Sequence, residues 1–119
     1  MTKAIKLESH PLVAQDILAL DDEKLQRLAL SKIKKLRDGV LRGTPLEKRK
    51  STGDLSDCFK ILFDTRRDIP PRFRIVYRNL HRGVEVVAVE VLSVGERYEL
   101  EAYKQAAERL NRIKKDEDK

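Results

Sequence analysis

From Asp57 the chain changes its period, and that change limits the folds open to it. Phe59, Ile61 and Phe63 alternate with Cys58, Lys60 and Leu62, and Phe73, Ile75 and Tyr77 alternate with Arg72, Arg74, Val76 and Arg78. Side chains of a strand point to opposite faces in turn, so both segments read as strands with one apolar face. A third segment, about 84–94, is valine-rich and apolar on both faces apart from Glu85 and Glu90. Residues 64–71 include Pro70 and Pro71, which a central strand does not tolerate, so they form a long hairpin loop. Leu80-His81-Arg82-Gly83 supplies the next turn. Three strands joined by hairpins make an antiparallel sheet.

The flanks supply the rest of the fold. Residues 3–8 suggest a short first strand. A helix follows, with Ser9 as its cap, Pro11 in its first turn, and Leu12, Val13, Ile17 and Leu20 as its stripe. Asp21 or Asp22 caps a second helix with Glu23 in its first turn; Leu25, Leu28, Ile33, Leu36 and Val40 form its face, and Gly39 and Gly43 end it. Residues 43–56 read as loop. A last helix over about 99–114 carries Leu100, Tyr103, Ala107, Leu110 and Ile113. The expected architecture is α+β, in the order β-α-α-β-β-β-α. It is one domain over 1–115 with a charged tail at 116–119. Helices should cover the face of Phe59, Ile61, Phe73 and Ile75, leaving the opposite face open with Lys60, Arg74 and Arg78.

At 119 residues the chain has room for one core. Its 40% apolar residues leave no run long enough to span a bilayer, and Met1–Lys6 has no apolar leader, so the cytoplasm is the expected location. One cysteine and two histidines make neither a disulfide framework nor a zinc site. No glycine-rich phosphate loop is present, which disfavours nucleotide-dependent enzymes. The net charge of +6 is unevenly spread, because residues 60–82 hold seven basic and two acidic side chains, six of the seven being arginine. Arginine's fixed fork suits phosphate, so the concentration points toward nucleic acid, with a plain solvated face as the alternative.

The ordered set Asp57-Cys58-Phe59-Lys60-Ile61, Phe73-Arg74-Ile75-Val76-Tyr77, Leu92-Ser93-Val94-Gly95-Glu96-Arg97, then Tyr103, Ala106-Ala107 and Arg109-Leu110, resembles the RelE/ParE superfamily of toxin–antitoxin toxins, in its RelE branch. The resemblance covers nearly the whole chain. It implies a ribosome-dependent mRNA endoribonuclease that needs no metal or cofactor, in which the mRNA's own 2′-hydroxyl attacks the adjacent phosphate. The implied partners are the ribosome, mRNA and an antitoxin protein that covers the basic face.

By the same resemblance Lys60 is the candidate base. A lysine serves so only when neighbouring cations favour its neutral form. Arg74 is the candidate phosphate clamp, with an ion pair to Glu90 as the competing role. Arg97 is the candidate acid or charge stabiliser; an arginine stabilises charge more readily than it gives up a proton. Tyr103 either stacks on the mRNA or belongs to the core. Lys48-Arg49-Lys50 is an RNA-gripping or merely solubilising loop cluster. Leu62 stands where members of the family carry a second lysine. Arg66, Arg67 and Arg72 are the candidates to reach back in its place, and with Arg78 on the strand face they are candidate RNA contacts. A ParE-like gyrase-binding toxin without chemistry remains the alternative.

Overall fold

The structure is a computed structural model and describes residues 5–46, 55–98 and 101–117. The period-two segments become β3 (Cys58–Phe63), β4 (Phe73–Arg82) and β5 (Glu85–Glu96). They follow β1 (Lys6–Ser9), α1 (Val13–Leu18), α2 (Glu23–Arg37) and a two-residue strand, β2 (Thr44–Pro45), and precede α3 (Glu101–Glu117). The five strands form one sheet in the order β1-β5-β4-β3-β2, with β1 parallel to β5 and the other neighbours antiparallel.

The expected element order holds, with local differences. Part of the loop over 43–56 pairs with β3 as β2. The β4–β5 ladder runs on through Arg82 opposite Glu85, so the turn is Gly83-Val84, with Gly83 at φ 63° in the left-handed region glycine favours. Ser9 belongs to β1 rather than capping α1; instead His10 Nδ1 accepts the Leu12 N–H at 3.2 Å. Burial and then nearby Arg109 push the His10 pKa down, which keeps that nitrogen free to accept. Asp22 caps α2, accepting from Lys24 N–H at 2.8 Å. Val40 lies beyond α2 and is exposed. The last helix continues through Glu117, past its expected end near residue 114.

The largest correction concerns the sheet's second face. α1 and α2 cover one face as expected, burying Val13, Ile17, Leu25, Ala29, Ile33 and Leu36 against Ile61, Phe63, Phe73, Ile75, Tyr77 and Val91. The opposite face is not left open. α3 lies on it, packing Ala102, Tyr103, Ala106 and Leu110 onto Leu55, Cys58, Val76 and Leu92. A register shift between Val76 and Tyr77 makes this possible. It turns Leu92 and Ser93 both toward α3, where the Ser93 hydroxyl donates to the Ala102 carbonyl at 2.6 Å, and returns Val91 and Val94 to the other core.

Two polar anchors hold the layers in place. Gly43 N–H donates to the Tyr77 hydroxyl at 2.8 Å. A Cβ on Gly43 would stand 2.6 Å from the Lys60 carbonyl oxygen, so only glycine lets β2 approach β3 here. The second anchor is a buried ion pair between Asp16 of α1 and Arg109 of α3. β1 ends at Ser9, leaving the outer edge of β5 without a strand partner beyond Val91. Asp16 Oδ2 accepts the Val94 N–H at 3.1 Å, Arg109 Nη1 donates to the Leu92 carbonyl at 2.8 Å, and Arg109 Nη2 meets Asp16 Oδ1 at 2.9 Å. Removing one partner of a buried pair strands the other charge. Asp16→Ala is therefore expected to cost about 3–5 kcal/mol, read as a lowered midpoint of urea unfolding. Asp16→Asn, which keeps an acceptor for the Val94 amide, should cost less.

Candidate functional site

The arginine-rich segment folds back on its own acids. At the start of the β3–β4 loop the buried Asp64 carboxylate accepts from Arg72 Nε at 2.8 Å and Nη2 at 3.0 Å, and from the backbone N–H groups of Arg66 and Arg72 at 3.1 Å each. Arg66 forms a second fork on Asp68, at 3.1 and 2.6 Å. Bidentate pairs of this kind fix geometry as well as charge. The Arg72 guanidinium holds the Asp64 carboxyl well below its ordinary value of 3.8, the backbone donors adding to the effect against the opposing pull of burial. Arg72 also lies over the Phe73 ring, 5.2 Å from its centroid.

The expected cluster of Lys60, Arg74 and Arg78 on an open face is not what the fold builds. Arg78 stands opposite Glu90 and is bonded to it at 2.7 Å, with Glu117 of α3 at 3.4 Å. Glu90 therefore pairs with Arg78, not Arg74. Arg74 is only 5% exposed. Its Nε donates to the Tyr103 hydroxyl at 3.1 Å, and its Nη1 donates to the carbonyls of Pro71 and Phe73 at 2.8 and 2.9 Å. Tyr103 is buried in the α3 core, so both residues lie beneath the surface. Lys60 is half-buried on β3, opposite Val76, and Leu62 is 40% exposed opposite Arg74.

Arg97 is the exposed member of the expected catalytic set. Its backbone N–H donates to the Arg72 carbonyl at 2.7 Å, carrying the β4–β5 ladder one step past Glu96. Among the described residues its side chain makes no ion pair. Arg97 lines an open cleft of about 640 Å³ together with Ile69, Pro70, Pro71, Arg72, Glu96 and Tyr98. The Pro71 carbonyl joins this cleft to the buried Arg74–Tyr103 pair below it. Arg67 is exposed. Lys48, Arg49 and Lys50 lie outside the described residues. The described residues hold no group of three or more metal-ligating side chains, and none of their helices is long and apolar enough to cross a membrane.

The cleft walls were not singled out by sequence reasoning. Ile69-Pro70-Pro71 falls in the loop expected over 64–71, and Tyr98 carries no expectation of its own. The signal was the pairing of a stiff proline segment with an aromatic residue next to Arg97.

No family model matches the chain, and no curated protein matches it either. Solved structures do. A free arginine-to-alanine double mutant of the E. coli toxin RelE matches with a TM-score of 0.59 at 22% identity, over 90% of this chain and 98% of that one. The fold is that of the RelE toxins. The RelBE2 toxin–antitoxin complex of Mycobacterium tuberculosis matches with a TM-score of 0.55 at 22% identity, over 80% of this chain and 100% of its counterpart. Isolated E. coli RelE toxin gives 0.51 at 23%, over 90% and 99%. The RelE fold thus spans nearly the whole chain, although sequence comparison alone does not retrieve it.

Two outcomes are expected. Arg74→Ala leaves the Tyr103 hydroxyl and the Pro71 carbonyl without their partner and should destabilise by about 1–3 kcal/mol in chemical denaturation. Arg74→Lys should not restore the loss, because an ammonium lacks the planar fork. The second outcome concerns pH. A carboxyl depressed in the folded state stabilises above its unfolded value of 3.8, and that stability is lost as pH falls below it. Between about pH 5 and pH 2.5 the melting temperature of the wild type should fall more steeply than that of Asp64→Asn.

Proposed function

We propose that the chain is a RelE-type toxin of a toxin–antitoxin pair that cleaves mRNA on the ribosome, with an antitoxin protein as its cellular partner. The observation that carries the reading is the exposed Arg97, fixed at the end of β5 at the mouth of a cleft, in a fold shared with RelE toxins. In this reading the substrate's 2′-oxygen bonds to the adjacent phosphorus, the bond to the 5′-oxygen breaks, and a cyclic phosphate and a free 5′-hydroxyl result. Arg97 stabilises the charge gathering on the phosphoryl oxygens, Lys60 is the candidate to receive the 2′-hydroxyl proton, and the departing 5′-oxygen takes its proton from water.

Arg74 enters as a positioning residue. It ties the Pro71 carbonyl to Tyr103, so it sets the cleft wall rather than meeting the phosphate. Among the described residues few of the expected site cations are left free, which fits a catalyst whose substrate is positioned largely by the ribosome. The same scarcity favours one other reading, a ParE-like gyrase-binding toxin with no chemistry. Leu62 where a lysine is expected and the burial of Arg74 are its support.

Mapping new mRNA 5′ ends after brief induction separates the two. Cuts at fixed positions within codons support the nuclease, and DNA double-strand breaks without such cuts support gyrase. Arg97→Ala is expected to lower single-turnover cleavage on programmed ribosomes by about 10²–10³. Unchanged cleavage would remove Arg97 from the reaction. Arg66 and Arg72 are held by Asp68 and Asp64, so of these three loop arginines the exposed Arg67 is left as the candidate to stand in for the missing lysine. If it does not, Leu62→Lys should raise cleavage about tenfold, roughly 1.4 kcal/mol of barrier; if it does, Arg67→Ala should lower cleavage and Leu62→Lys should add little.

A further inference from the structure

A second cavity, of about 310 Å³, opens where the chain leaves α2 and meets the sheet. Leu36, Tyr77 and Val89 line it from the core beneath α1 and α2, and each is almost fully buried. Phe59 stacks on Tyr77 there with ring centroids 5.4 Å apart, and Leu41 and Val86 are half-buried on the same lining. The volume lies at the small end of the range for ligand sites, roughly 300–1,000 Å³, so it suits one small molecule rather than a folded partner. It is separate from the cleft beside Arg97. That cleft takes Arg72 from the chain and this cavity takes Tyr77 and Asn79, at least five residues of extended chain further on, or roughly 16 Å.

The polar groups at this cavity share one character, because they donate. The Tyr77 hydroxyl accepts the Gly43 N–H at 2.8 Å, and among the described residues its own proton meets no acceptor. Burial raises the Tyr77 pKa above its ordinary 10.0 against the opposing pulls of the Gly43 N–H and Arg42, so the phenol keeps that proton at neutral pH. A buried donor without an acceptor is costly, and a ligand oxygen would supply one. Arg42 is exposed on the same lining and, among the described residues, makes no ion pair. Asn79 adds an amide, and no aspartate or glutamate is among the described lining residues. One guanidinium and one phenolic proton, beside an apolar floor, match a head with a single negative charge and two acceptor oxygens.

We propose that this cavity binds a small amphipathic carboxylate, with its hydrocarbon body on Leu36, Tyr77 and Val89 and its two oxygens shared between Arg42 and the Tyr77 hydroxyl. The site lies outside the candidate RNA chemistry and does not depend on the toxin reading.

The test titrates the full-length protein, carrying ¹³C-labelled methyl groups, with octanoate. A parallel titration uses octan-1-ol, which has the same chain length and no charge. Octanoate should bind saturably and shift the methyl signals of Leu36, Leu41 and Val89. Octanol should bind about tenfold more weakly or worse, because it forfeits the charge-assisted bond. Arg42→Gln changes an exposed side chain and should weaken octanoate about tenfold while leaving octanol as it was. Val86→Phe should fill the cavity and remove binding of both; if that variant does not fold, Arg42→Gln decides alone. Absence of a saturable shift overturns the site. So does equal affinity for octanoate and octanol, or octanoate binding that ignores Arg42→Gln. Shifts that also spread to the exposed Leu18 and Leu30 overturn it as well, since the probe would then coat any apolar surface.

Discussion

The open edge of β5 is the constraint around which the three layers close. A strand edge without a neighbour exposes amide and carbonyl groups that must find partners. β1 satisfies that edge only as far as Val91, where His10 N–H reaches the Val91 carbonyl at 2.8 Å. Beyond it, Asp16 and Arg109 take over, one bonding the Val94 amide and the other the Leu92 carbonyl. The two residues stand 93 apart in sequence. Their pairing joins the helix layer on one face of the sheet to the helix on the other. That geometry holds α3 over Val76 and Leu92, and with it buries Tyr103 and Arg74.

A count of charges and a map of charges lead to different expectations here. Residues 60–82 are strongly basic by composition, yet most of their arginines are engaged. Arg66 and Arg72 close the β3–β4 loop on Asp68 and Asp64, Arg78 bridges to Glu90 and Glu117, and Arg74 serves carbonyls and a tyrosine. Fixed forks on neighbouring carboxylates give shape to a loop rich in proline, and the shape is what leaves a cleft next to Arg97. Positive charge in this chain does much of its work inside the fold.

The strand segments were legible in the sequence because the alternation of Phe59, Ile61 and Phe63 with Cys58, Lys60 and Leu62 has one geometric meaning. The order of elements followed from it. The side of the sheet that α3 covers was not legible. Its apolar stripe showed that the helix is amphipathic without naming a partner, and the buried positions prove to be Ala102, Tyr103, Ala106, Arg109 and Leu110. Arg109 entered the sequence reading only as part of the family resemblance, and its partner Asp16 lies in a distant helix, beyond the reach of local periodicity. The bulge at Leu92 was equally hidden, since an extra residue in a valine-rich run leaves no mark on its composition. For the site, Arg97 lies exposed at the end of β5, whereas Arg74 went inside because Val76 beside it belongs to a second core.

The parallel pairing of β1 with β5 sets the order in which this molecule can form. Lys6 meets Ala88 and Ser9 meets Val91, so the earliest strand has no partner until nearly all of the sheet has been synthesised. Contacts of such long sequence separation carry a loop-closure penalty that slows folding. The β3–β4 and β4–β5 hairpins, being local, are available first, and the N-terminal strand and helices dock onto them afterwards. A nascent chain therefore lacks the β1–β5 ladder until β5 has emerged, and lacks the Asp16–Arg109 anchor until α3 has followed it.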